Sequence, residues 1–113
     1  MEQLTIENTV GPASVRVLKL SGPFTLKDIW NFQAAAREAT EPITIIDLTD
    51  VPYMDSAALG SVVGVHVSRQ RVHHKYAIVG ANERLGTLFE VAGVDSLLVC
   101  YPTTVEALKG LGA

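Results

Sequence analysis

Cysteine is nearly absent. Cys100 stands alone, so no internal disulfide can form, and that usage favours a reducing compartment. Aromatic residues make up 6% of the 113 residues and charged residues 19%, and the net charge is −3. The nine Lys and Arg are scattered, with only Arg69 and Arg71 close together, so the chain lacks the basic footprint that nucleic acid requires. No apolar run approaches the ~20 residues that span a bilayer. Met1-Glu2-Gln3-Leu4 has neither the basic start nor the apolar core of a secretory leader. These absences predict a soluble, cytoplasmic chain with no nucleic-acid or membrane partner.

The usual signs of catalysis are missing too. Gly60, Gly64 and Gly80 match neither the Walker nor the dinucleotide spacing, so no phosphate-cradling loop or cofactor is expected. His66, His73 and His74 have no cysteine or carboxylate beside them at a ligand spacing, so no metal is expected either. A serine nucleophile needs a base and an orienting third group. Ser56 lies outside any Gly-x-Ser-x-Gly elbow, with no histidine in the matching context. The expectation is a protein that is not an enzyme.

What the chain does have is apolar content of 48%, enough for a packed core. A single domain over 1–113 is expected, burying roughly 65% of its unfolded surface. Residues 4–10 and 14–20 alternate around the turn signal Gly11-Pro12-Ala13 and predict an antiparallel hairpin. In the second run Val15, Val17 and Lys19 share one face, and Arg16, Leu18 and Leu20 the other. Leu26, Ile29, Trp30, Gln33, Ala34 and Arg37 follow at helical spacing, with Thr25 and Asp28 as a capping box and Glu41-Pro42 as the stop.

Residues 43–48 are almost wholly apolar or β-branched, as in a strand buried on both faces. A second helix runs from the Asp55-Ser56 turn to about Arg71, with an apolar stripe through Leu59, Val62, Val63 and His66. His66 is expected to be a partly buried helix residue. Residues 76–79 predict a strand ended by Gly80, Asn82 caps a third helix that Gly93 stops, residues 97–101 predict a last strand, and Pro102-Thr103-Thr104 opens a final helix. Cys100 falls in that last strand as a small core residue. The order is β-β-α-β-α-β-α-β-α. It predicts an α/β domain with a mixed, mostly parallel sheet, an antiparallel N-terminal edge hairpin and about four helices.

The most informative stretch joins strand 43–48 to the second helix: Val51-Pro52-Tyr53-Met54-Asp55-Ser56-Ala57-Ala58-Leu59-Gly60. Backbone N–H groups point outward at such a junction, and the helix dipole favours negative charge. Either Asp55 or Ser56 can cap the helix; the hydroxyl can instead accept a phosphate, adding about −1.5 to −2 charges. On the helix itself Ala57, Gly60, Ser61, Gly64 and Ser68 share a face. Close packing on the sheet is the expectation for them, and a flat surface for a partner's backbone is the alternative.

Taken together, Ile43-Thr44-Ile45-Ile46-Asp47-Leu48, Val51, Tyr53-Met54-Asp55-Ser56, Leu59-Gly60, Arg84-Leu85, Leu88-Phe89 and Ala92-Gly93-Val94 resemble the STAS domain of bacterial anti-sigma factor antagonists over nearly the whole length. The resemblance implies a STAS-type fold and a switch. In that family the serine after the aspartate is phosphorylated by a partner kinase, which is itself the anti-sigma factor and has a histidine-kinase-like ATP-binding fold. Phosphorylation breaks the complex and a serine phosphatase restores it.

Carried over, Ser56 is the phosphoacceptor, and Phe24, Thr25, Asp55, Ala57, Gly60 and Ser61 are partner-binding. Two departures stand out. Ala57-Ala58 replaces the family's Ser/Thr-Gly, adding a Cβ that would face an approaching partner. Gly22-Pro23-Phe24-Thr25 replaces Gly-Glu-x-Asp, removing charge from the docking edge. They motivate an alternative, a STAS scaffold that binds constitutively with a degenerate switch. A phosphoaspartate receiver fits the alternation but lacks the acidic pair after the first strand and the lysine before Pro102.

Overall fold

The computed structural model describes residues 3–11 and 14–112. Five strands form one sheet in sequence order: β1 Thr5–Gly11, β2 Val15–Ser21, β3 Ile43–Asp50, β4 Lys75–Val79 and β5 Cys100–Tyr101. β1 pairs antiparallel with β2, and the remaining pairs are parallel. The hairpin is therefore as expected, although Pro12 and Ala13 of its turn lie outside the described residues. A receiver's doubly wound sheet has order 2-1-3-4-5. The order here, with an antiparallel edge, does not fit that reading.

Four α-helices connect and close the sheet: α1 Ile29–Glu38, α2 Ser56–Arg71, α3 Glu83–Val91 and α4 Thr104–Gly110. Phe32 of α1, Leu59, Val62 and Val65 of α2, and Leu85 and Phe89 of α3 pack with Leu18, Leu20, Ile46, Leu48 and Ile78. These three helices thus lie on one face, as right-handed crossovers between sequentially ordered parallel strands require. Ala107, with Leu108 and Leu111, covers Val15, Ile45, Ala77 and Val79 on the other. The alternation read in β2 holds, because Val15 and Val17 face α4 while Leu18 and Leu20 face the three-helix side. Gly80 ends β4 at φ +74°, where a Cβ would collide with Thr49.

Three expectations need correction. The last strand is only Cys100–Tyr101, because residues 94–98 coil into a turn in which Leu97 and Leu98 both donate to the Val94 carbonyl. Cys100 is exposed, not a core residue, since β5 is the sheet's edge. The α1 stripe read at helical spacing faces outward: Leu26 is 65% and Trp30 78% exposed, while Phe32 is fully buried and Ala35 and Ala36 pack on the core.

Two polar contacts tie elements together. Arg16 of β2 grips Glu41 beyond α1 (Nε–Oε1 2.7 Å, Nη2–Oε2 3.1 Å), and this hydrogen-bonded pairing holds the Glu41 carboxyl below the ordinary carboxylate range. Tyr76 of β4 joins α2 to the loop before β5. Its oxygen accepts from the Val99 N–H at 3.1 Å and lies 2.6 Å from His66 Nδ1.

Burial pushes the Tyr76 phenol pKa up, so the hydroxyl keeps its proton, and the His66 tautomer sets which of the two groups donates across the 2.6 Å contact. His66 is 7% exposed, more enclosed than its place on the stripe suggested. Tyr76→Phe leaves His66 Nδ1 and the Val99 N–H without this partner. It is expected to lower unfolding free energy by about 1–3 kcal/mol, read as a lower urea midpoint at unchanged slope.

Candidate functional site

The loop between β3 and α2 is held on three sides. Val51 (1% exposed) and Met54 (7%) anchor it in the core. Phe24 bridges to Met54 in parallel: the Phe24 N–H donates to Tyr53 O (3.1 Å) and the Asp55 N–H to Phe24 O (3.2 Å). From the third side the Asn82 amide reaches Val51 O and Pro52 O, each at 3.3 Å, while its Oδ1 accepts from Leu85 N at 2.9 Å and caps α3. The Asn82 cap was legible in sequence. Its reach across 31 residues to Val51 carries no local signal.

Asp55 settles which residue caps α2. Its Oδ1 accepts from Ala58 N at 2.8 Å, the N-cap bond. Its Oδ2 accepts from Leu26 N at 2.9 Å, an orphan donor opening the first turn of the neighbouring helical segment. One carboxylate therefore pins two helix starts together. Ser56 follows as the first helical residue, exposed, and among the described residues no hydrogen bond holds its hydroxyl.

The Thr25–Asp28 box forms as read, with Asp28 Oδ2 accepting from Thr25 N at 3.0 Å. Residues Leu26–Asp28 make a tight 3-10 turn before α1 proper. Asp28 is 4% exposed and also takes the Thr25 hydroxyl and the Lys27 ammonium.

The expected docking residues divide by burial. Asp55, Ala57 and Thr25 are half-buried, and Ser56 and Gly60 are exposed. Phe24 is fully buried against Phe32, with ring centroids 5.0 Å apart. It shapes the site through its backbone, and its side chain lies out of a partner's reach. Ser61 is 8% exposed and donates to Ala58 O, so it too is a packing residue.

Gly60 and Gly64 correct the packing expectation for their face. They are exposed, and a Cβ at either meets nothing within 4 Å, so they do not serve close approach to the sheet. Ala58, by contrast, is fully buried, and its Cβ faces the core instead of an approaching partner. That departure from the family pattern is a matter of packing.

The elements flanking Ser56 carry large exposed apolar groups. Leu26 and Trp30 stand one turn apart on the outer stripe, and its Leu26 end is tied to Asp55. On the other side Tyr53 is 39% exposed with the Arg84 guanidinium 5.1 Å over its ring. Spacing alone did not reveal the exposure of Leu26 and Trp30, because a helical stripe does not say which side the sheet occupies.

The STAS domain model matches residues 7–107. The chain belongs to the STAS domain family. Over 53 residues it is 40% identical to an anti-sigma-B factor antagonist of Listeria monocytogenes, covering 47% of this chain. That match takes in 46% of the relative, so the chain spans about half the length of the curated relative it matches. Among solved structures, an anti-sigma factor antagonist from Mycobacterium paratuberculosis superposes with a TM-score of 0.86 at 18% identity, covering 98% of this chain and 96% of that one. The Bacillus cell fate determinant SpoIIAA, solved in its phosphorylated form, superposes with a TM-score of 0.71 at 16% identity, covering 95% and 99%. At such identities these structures establish the shared STAS fold. Among the described residues, no helix is long and apolar enough to cross a membrane.

Proposed function

We propose that this STAS domain acts in the cytoplasm as an anti-sigma factor antagonist. It docks an anti-sigma factor through the start of α2 and is released when Ser56 is phosphorylated. The observation that carries the reading is the division of labour at the junction. Asp55 spends both oxygens on helix starts, leaving the Ser56 hydroxyl exposed for transfer chemistry on another protein. Ser56 is substrate here, not catalyst. The partner supplies ATP binding and the phosphoryl-transfer machinery, on a histidine-kinase-like fold, and a serine phosphatase resets the switch. The anti-sigma-B antagonist relative and the phosphorylated fold neighbour support this assignment.

The docking face consists of Leu26, Trp30, Ser56, Ala57 and Gly60, with Thr25 and Asp55 beneath its rim. Trp and other large apolar groups anchor interfaces of this kind, and a bare glycine on a helix lets a partner's chain come close. Gly60→Gln tests the face without disturbing the fold. Its Cβ enters open space, and replacing a helix-interior glycine is expected to leave stability equal or raise it by up to about 1 kcal/mol. Affinity for the anti-sigma factor should fall at least about tenfold in a calorimetric titration. Wild-type affinity would move the docking face elsewhere.

A further inference from the structure

A groove of about 490 Å³ runs between α1 and α2, away from the Ser56 end, with Phe32, Ala36 and Val65 among its mostly apolar walls. Pockets of this size take small organic molecules. Arg69, on the last turn of α2, lines it at only 8% exposed. An arginine there usually extends its head into water, or is paired when buried. This one makes a single bond, Nη2 to the Ala36 carbonyl at 2.8 Å, and its Nε is buried without a partner.

No carboxylate among the described residues forms an ion pair with it. Glu41, whose field reaches it, is already gripped by Arg16. Burial lowers the Arg69 pKa, as expected of a desolvated cation with little compensation. His74, beyond the end of α2, lines the same groove, and its Nδ1 is also buried without a partner. A guanidinium this buried, with one backbone acceptor and no carboxylate partner among the described residues, is a costly arrangement that an anion in the groove on Arg69 Nη1 would offset.

We propose that this groove binds a small organic carboxylate, its anionic head on the Arg69 guanidinium and its short apolar body against Phe32, Ala36 and Val65. A carboxylate matches the guanidinium fork and supplies the missing counter-charge, and the walls favour a hydrocarbon body over a bare ion. The site is separate from the Ser56 docking face, and its occupancy does not depend on the phosphorylation reading.

The test is titration of the protein with hexanoate, neutral hexanamide and inorganic phosphate, followed by backbone amide shifts in NMR. Hexanoate should saturate at millimolar concentration and move the amides of Val65, Arg69 and His74, with hexanamide and phosphate each at least about tenfold weaker. Arg69→Gln should weaken hexanoate at least about tenfold. Should that variant fail to fold, Gly64→Leu serves the same purpose, because a side chain there enters open space at the groove's wall. Absence of saturable hexanoate binding would overturn the proposal, as would hexanamide or phosphate binding equally well. So would unchanged hexanoate affinity in the folded variants.

Discussion

A Ser56→Asp chain is expected to lose at least about tenfold in affinity for its anti-sigma factor while unfolding within about 1 kcal/mol of wild type. The two halves of that expectation have separate causes. Ser56 is the first residue of α2, exposed, with no hydrogen bond to its hydroxyl among the described residues, so replacement breaks nothing internal. A carboxylate there gains about 0.3–1 kcal/mol from the helix N-terminus and loses a comparable amount to its neighbour Asp55.

Docking is a different matter. The surface around Ser56 offers Leu26, Trp30 and Gly60, and a partner seated on it would enclose the new charge. An enclosed, unpaired charge costs several kcal/mol, more than the tenfold loss requires. A phosphate, at about −1.5 to −2 charges, does the same more strongly. Ser56→Ala is the matching control. It keeps the face apolar, should bind as wild type, and should take no phosphate. Equal affinity of the Asp variant and wild type would contradict the switch.

Asp55→Ala is expected to be the opposite kind of variant, one that damages the fold first. It removes the N-cap bond to Ala58 and the bond to Leu26 together. A lost cap costs about 0.5–2 kcal/mol, and a second charge-assisted bond adds roughly 1 at a partly solvated position. The sum, about 1.5–3 kcal/mol, is a large share of the stability of a domain this size. It is read as a lower urea midpoint. Asp55→Asn keeps one acceptor oxygen and turns an amide NH₂ toward the other donor, so it should fall between wild type and Asp55→Ala. If Asp55→Ala matched wild type, the carboxylate would not be what joins the two helix starts.

The neighbourhood of Asp55 illustrates what a linear chain discloses. Asp55 and Ser56 are both good capping residues, and local spacing cannot choose between them. In the fold Asp55 makes the cap bond to Ala58, and Leu26, 29 positions away, brings its N–H to the second oxygen of Asp55. The Thr25–Asp28 box was legible because both partners lie within one turn. The start of α2 and the alternation of β2 were legible for the same reason.

What escaped was set by the layer on the far side. The outward stripe of α1, the open face of Gly60 and Gly64, and the exposed Cys100 on an edge strand all depend on where the sheet runs. Ala58 shows how this matters for function. Read from the chain it was an obstacle to a partner; in the fold it is fully buried, and it no longer counts against docking at Ser56.

Central to the account is Ser56 as the residue a partner kinase modifies. The most direct test incubates the wild-type protein with its anti-sigma factor kinase and ATP, then maps the phosphate by tandem mass spectrometry. The expected result is one phosphate on Ser56, with the complex dissociating as it accumulates. Phosphate on any other residue, or stable binding with no phosphate at all, would contradict it, and the latter would leave the constitutive scaffold as the better description.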